Sequence, residues 1–588
     1  MKKFLLTVAL LLFVMIVFAA EKYVWFDEKT PYLGADAKGK YGGRLVVGTL
    51  SGPRTMNYVV AKETSSTDVI ALFMGYGGTL VELDNYARLY PCMAKRCEVE
   101  LTDEGKMIVT FWLREGIKWS DGKPFTADDF VFTVNDVYSN PAIPSSTQDV
   151  IKDSKGRLPK AEKVNNYTVR VIYEEPFRLA VRYIGGLYIW PKHIAEEWVK
   201  NGTFTQKWTV EAINNKELVG LGPFIPVEYV PDQYIRAVRN PNFWKKDANG
   251  NQLPYLDEYV IKIIPDQNAQ KLAFEKGEID LWGVPAQFYP EIKAKAKEKN
   301  WVVGTGGPTY GTTFITFNWN HDDPVKRSWF RNEFFRKAVA YAMDKDAMID
   351  TLLAGLGVAQ WGPVSVLSPF YNDDALRKYP YDLEYARVML QMGGFSWDKD
   401  GNLIDAKGNK VEFVLSTNAG NRIREGMCNI IRDELAKLGI KVTFVPQDFN
   451  LLVNKMLNTT DWEAIVIGLT GSDEPQGGRN VWALKGTLHF WNFHPEAAPG
   501  KQIKPEIYEA PDWEIEIDKI FAENIKVLDQ KKVYQMFSRY QELVSEHLPL
   551  IYTVQQLYLY AHKADLNIIE PTAFGGMLWT LPWIYWKK

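Results

Sequence analysis

WSDGKPFTADDFVFTVNDV, residues 119–137, is the stretch whose reading decides the fold. Asp121-Gly122 supplies a tight turn, and Pro124 stiffens the exit from it. Thr126 stands where a helix N-cap belongs, with Asp128 and Asp129 in the first turn, where the helix dipole favours acids. Upstream, IVTFWLREG (108–116) is rich in β-branched and aromatic residues and reads as a strand. Strand, turned loop and capped helix therefore follow one another without a linker.

The same alternation runs outward in both directions. Gly42-Gly43 opens a strand over RLVVGT (44–49), after a polar leader at 20–41, and YTVRVIYEEP (167–176) alternates as a strand. Helical periodicity covers 329–355, 381–395 and 423–440, each ended by Gly. Strands are expected at 441–448 and 462–470, and helices followed by a strand at 516–555. Mixed elements of this kind argue an α/β fold. The 588 residues exceed one ordinary domain, yet no Pro-rich or low-complexity linker divides them, so the domains should interleave.

The start of the chain reads as an address. Met1-Lys2-Lys3 is basic, Phe4–Ala19 is uncharged and mostly apolar, and small residues precede Glu21. That is the pattern of a secretory signal peptide over 1–19, cleaved after Ala19 with Val17 at the third position back. The rival reading is a retained anchor, for which the run is short. No Cys lies near the cut, so a lipoprotein is not expected. A net charge of −3 excludes the basic excess of a nucleic-acid binder. The three cysteines make a poor disulfide framework; Cys92 and Cys97 either bridge or lie buried, and Cys428 stands alone.

Catalytic signatures are missing: there is no G-x-S-x-G, no H-E-x-x-H and no P-loop. His489 and His494 form a weak pair better read as packing, and DKDGN (398–402) lacks the spacing of a calcium loop. No enzyme, metal or cofactor is expected. A secreted hydrolase, which needs two carboxylates across a cleft, is the remote alternative.

The block at 119–137 strongly resembles the most recognisable segment of the dipeptide/oligopeptide-binding family of ABC importers, extracellular solute-binding family 5. Further blocks follow in that family's order: GGRLVVGT (42–49), PRTMNYVV (53–60), VNNYTVRVIYEEP (164–176) and VGLGPFIPVEYVPDQYIRAVRNPNFW (219–244). PYLDEYVIKIIPDQNAQKLAFEKGEIDL (254–281), ITFNWN (315–320), FFRKAVAYAMDKD (334–346), RDELAKLGIKVTF (432–444) and HLPLIYT (547–553) complete it. The resemblance implies a two-lobed periplasmic binding protein of class II, large oligopeptide-binding type, with an extra inserted α/β subdomain. It implies a first lobe from 20–80, 205–310 and 547–588, an insert at 81–204, and a second lobe at 311–546. The chain would cross between lobes near 310–318 and return near 549–552. A monomeric, extracytoplasmic receptor that hands its ligand to a membrane permease follows from the same resemblance.

The ligand is open between an oligosaccharide and a peptide. Peptide binders of this family hold the ligand's amino terminus with an Asp four residues before a Pro. In GLTGSDEPQGGRNVW (468–482) that position is Gly471, with Asp473 as the substitute if the loop shifts. With 20 Trp and 30 Tyr, the chain has aromatic faces for sugar rings. Trp282, Trp319, Trp361, Trp482 and Trp491 fall in expected cleft segments, and Asp473, Arg479 and Asn480 would serve hydroxyls. Asn57 and Tyr58 after the first strand, and Asn318 and Asn320 at the lobe crossing, complete the expected contacts. These features favour an oligosaccharide, β-linked, with an oligopeptide as the alternative.

Overall fold

Gly122 takes φ +89°, and its N–H donates to the Trp119 carbonyl at 2.8 Å, closing the turn that Asp121-Gly122 encodes. Thr126 and Asp129 then form a full capping box at the start of helix Ala127–Phe132. The helix continues as a π-helical turn over Thr133–Tyr138. Trp119 is fully buried beside Phe125, so the turn is fastened to the core at both ends. This is a computed structural model that describes residues 21–61, 63–143, 145–497 and 503–588. The expected signal segment lies outside the described residues.

Three large sheets organise the chain. The first is antiparallel, ordered Glu21–Phe26, Ala94–Leu101, Met107–Leu113, Thr168–Tyr173, Lys160–Asn165. Its first strand comes from the segment read as a polar leader: Tyr23 and Val24 pair with Val99 and Glu98, and Lys22 bridges Glu98 at 2.6 Å. The second, eight-stranded sheet places Arg44–Thr49 in parallel beside Glu258–Ile263 and Leu281–Gly283. It closes on one side with Val554–Lys563 and Trp301–Pro308, and on the other with Tyr234–Arg239 and Phe224–Val230. The third orders Lys441–Gln447, Glu412–Asn418, Ala464–Leu469, Thr312–Phe317 and Leu550–Tyr552.

Between the second and third sheets the chain crosses twice, side by side. It passes from Trp301–Pro308 into Thr312–Phe317 and returns from Leu550–Tyr552 into Val554–Lys563. Thr553 ties the two passages: its N–H and its hydroxyl both donate to the Thr313 carbonyl at 2.9 Å. The Gln555 side chain adds a bond to the Gly311 carbonyl at 3.1 Å. Asn318 follows directly on strand Thr312–Phe317 of the third sheet.

One continuous hydrophobic core spans the first two sheets, while the third has its own. The insert and the first lobe are therefore one packed body. The helical stretch expected over 329–355 is three helices: Pro324–Arg331, Glu333–Tyr341 and Lys345–Leu352. Asn332 breaks the first join, its side chain accepting from the N–H groups of Phe334 and Phe335, and Asp344 caps the third helix at Ala347. Cys92, Cys97 and Cys428 are free and buried, so the bridge left open between the first two is not made.

Candidate functional site

Helix Ala180–Gly185 of the insert begins just after Arg178 and carries Arg182 and Tyr183 to the boundary between the lobes. The loop that leaves strand Ala464–Leu469 brings Asp473 and Glu474 to meet them. Arg182 holds Asp473 in a bidentate pair, 2.7 Å at both contacts, and Arg178 holds Glu474 at 2.8 and 3.0 Å. Fork-to-fork pairing of this kind is the strong form of a charge-assisted hydrogen bond. Ser472 also donates to Asp473 at 3.1 Å.

Arg182 lines a cavity of about 480 Å³ on the first-lobe side of its bridge. Tyr58, Tyr76, Tyr183, Tyr188 and Phe574 contribute rings to its wall, and Trp579 borders it. Among the described residues, none of the four phenol oxygens has a hydrogen-bond partner within the chain, so all are available to a ligand. Tyr76 sits in left-handed backbone at φ +45°, the kind of local strain that functional sites retain. Burial pushes the Tyr183 phenol up to about 12, helped by the negative charge of Glu474. Burial and Asp473 raise Tyr310, at the lobe crossing, to about 12. The tyrosines of the wall therefore stay uncharged at neutral pH and offer hydroxyls on flat apolar rings, beside the charged Arg182.

Beyond the bridge, Thr470, Gly471 and Ser472 border a second cavity of about 330 Å³ with Asn480 and Trp482. Among the described residues no hydrogen bond uses a main-chain group of these three, although Leu469 pairs with Thr312. A Cβ at Gly471 would lie 1.6 Å from the Tyr310 carbonyl oxygen, so this position has no room for any side chain.

The expected contacts separate sharply. Tyr58 lines the first cavity; Asn480 and Trp482 line the second; Asp473 lies between, engaged by Arg182. Arg479 is half-buried and faces neither. The remaining residues are engaged within the chain. Asn57 is buried and donates to the Phe204 and Lys207 carbonyls; Asn318 donates to those of Thr460 and Trp462. Asn320 accepts from the Phe493 N–H at 2.6 Å. Trp282 donates to Gln270, Trp319 lies under Arg336, and Trp361 lies under the Lys345 ammonium at 3.6 Å. Trp491 has no exposure and donates to the buried Glu514 at 2.7 Å. Trp482 borders the second cavity and packs on the buried Trp491, ring centres 5.4 Å apart, so the expected two-ring platform presents one ring and not two.

Arg178, Arg182, Tyr76, Tyr183 and Tyr188 were not anticipated. The sole local signal is the closeness of Arg178, Arg182 and Tyr183, the first just ahead of the helix and the other two on it. No group of His, Cys, Asp and Glu among the described residues could hold a metal ion. His489 packs on Trp491, and Asp398 accepts the N–H groups of Asp400 and Asn402 in a simple turn.

Comparison with known proteins gives a consistent result. The family model for bacterial extracellular solute-binding proteins, family 5 Middle, matches residues 88–488. A probable ABC transporter-binding protein of Deinococcus radiodurans is 30% identical over 475 residues, covering 77% of this chain and 78% of its own. The oligopeptide-binding protein AppA of Bacillus subtilis is 28% identical over 548 residues, covering 91% and 92%. AppA's solved structure, in complex with a nonapeptide, superposes with a TM-score of 0.71 at 24% identity, over 94% of this chain and 100% of that one. The periplasmic alpha-galactoside-binding protein of Rhizobium meliloti is 27% identical over 513 residues, covering 80% and 69%.

Proposed function

The chain belongs to the bacterial extracellular solute-binding proteins of family 5, and from that premise we propose that it is the ligand-capturing subunit of an ABC importer and that its ligand is an oligopeptide. The observation that carries the ligand class is the unpaired main chain of Thr470–Ser472, at the end of a strand and at the lobe boundary. Free N–H and C=O groups just past the end of a strand suit the main chain of a peptide, as in recognition by strand addition. The similarity to AppA over nearly the whole of both chains supports the same choice. Asp473 and Glu474 are both paired with arginines, so the amino terminus of the peptide is not what the loop grips. Contacts from both lobes favour the closed form, and ligand shifts the population toward it. The mature chain begins after Ala19, works outside the cytoplasmic membrane as a monomer without a lipid anchor, and passes its ligand to a permease. No residue is assigned to catalysis.

An oligosaccharide is the second reading. The tyrosine-lined cavity and the alpha-galactoside-binding relative favour it. It moves behind the peptide because Trp491, half of the tryptophan pair that recommended it, is fully buried, and the sugar-binding relative gives no support to a β linkage.

Calorimetric titration tests both readings. A pentapeptide and its N-acetylated form should bind within a few-fold of each other, and galacto-oligosaccharides should not bind. Response to the sugar alone would replace the first reading with the second. Loss of binding on acetylation would overturn the role given to the paired carboxylates.

A further inference from the structure

The contact between the insert and the second lobe is a plug in a fitted socket. The Arg178 guanidinium donates to both Glu474 oxygens and to Asn524 Oδ1 at 2.8 Å. Its carbon lies 5.9 Å from the ring centres of Phe370 and Phe537. The Arg178 and Glu474 side chains are only 4% and 3% exposed. The contact is reciprocal: the Arg178 N–H donates to the Ile525 carbonyl at 2.7 Å, and Ile525, from the second lobe, is buried in the core of the insert and first lobe. Arg182 and Asp473 repeat the pairing one helical turn on.

We propose that the inserted subdomain is the clasp of this receptor: Arg178 in its socket and Ile525 in the opposite body set the balance between closed and open lobes, independently of what ligand is carried. Separation of the lobes returns Arg178 to water and exposes Glu474, Asn524 and two phenyl rings together. Closure dehydrates both charges, so the intact pair adds little net free energy over an apolar pair of the same shape. Removal of one partner is different, because the other is then left charged in a dry socket and only the open form relieves it. The clasp therefore demands matched partners and tolerates their joint replacement.

Spin labels on Val164→Cys and Lys399→Cys, both exposed, report the separation of insert and second lobe; the three native cysteines are buried. The chain is unfolded, dialysed and refolded to remove any ligand, and the distance distribution is recorded for the parent, Arg178→Met, Glu474→Leu and the double variant. Each single variant should lower the closed-to-open ratio by about tenfold or more, and the double variant should return most of it. Four identical distributions would overturn the proposal. So would a double variant as open as the single ones. Ligand titration is a separate readout, so an error in the assigned ligand would not be mistaken for failure of the clasp.

Discussion

Arg182 and Asp473 face each other across the lobe boundary in a bidentate pair, with both contacts at 2.7 Å. Asp473 is the acid nearest to the position where peptide binders of this type keep a carboxylate for the ligand's amino terminus. Its charge is instead matched by a guanidinium of the protein itself. The pair sits beside the tyrosine-lined cavity and one residue from the buried Arg178–Glu474 pair. The boundary is thus bridged by paired charges from both sides.

Gly471→Asp would place a carboxylate at the missing position, but the new Cβ would meet the Tyr310 carbonyl oxygen at 1.6 Å. The loop and the lobe crossing must shift to admit it. Thermal denaturation should show a loss of about 1–3 kcal/mol, typical of overpacking. Peptide affinity should not rise. A stable variant with stronger binding of free-amino peptides would show that the loop has room.

Trp491→Ala removes a fully buried ring and leaves Glu514 and its neighbours with a cavity. Denaturant titration should give a loss of about 3–5 kcal/mol. Whatever binding is lost should track the unfolded fraction. Normal stability with abolished binding would return Trp491 to the ligand site.

How much of this was legible in the sequence depends on distance along the chain. The turn at Gly122 and the N-cap at Thr126 are encoded within a few residues and are legible there; the reciprocal bond from Asp129 that completes the capping box is seen in the structure. The paired arginines and acids lie 291 and 296 residues apart, so no local pattern announces them. Tryptophan in an expected cleft segment is equally compatible with core and surface. Trp319 and Trp491 lie in the core because a broad apolar ring removed from water stabilises by about 2–3 kcal/mol, while Trp482 keeps an edge on the second cavity. The segment at 21–26 falls within 20–41, which reads as a polar leader from its Gly34, Gly39 and several lysines; pairing with the strand at 94–101 is what makes it a strand.

Tyr76→Phe and Tyr188→Phe each delete one phenol hydroxyl from the wall of the cavity and leave the ring in place. Each should weaken ligand binding by about 0.5–1.5 kcal/mol, up to roughly tenfold in Kd, without lowering the melting temperature. Unchanged affinity in both would move the ligand out of this cavity.

Glu333 supplies a pH dependence with a definite sign. Burial alone would raise its carboxyl, but hydrogen bonds from His547 and Lys337 outweigh it and hold the group at about 2. The folded value lies below the unfolded one. Its contribution is therefore fully present above the ordinary glutamate range and is lost as pH falls through about 2. Melting curves should separate the parent from Glu333→Gln at pH 7 and converge near pH 2. A constant separation at every pH would contradict the assignment.

The claim at the centre of this account is that the two lobes close on an oligopeptide. Native mass spectrometry of the chain, isolated from its own export compartment under gentle conditions, addresses it most directly, because a ligand closed between two lobes can be carried into the instrument and its mass read. The account predicts released masses that fragment as peptides. A ladder of regularly spaced hexose masses would contradict it.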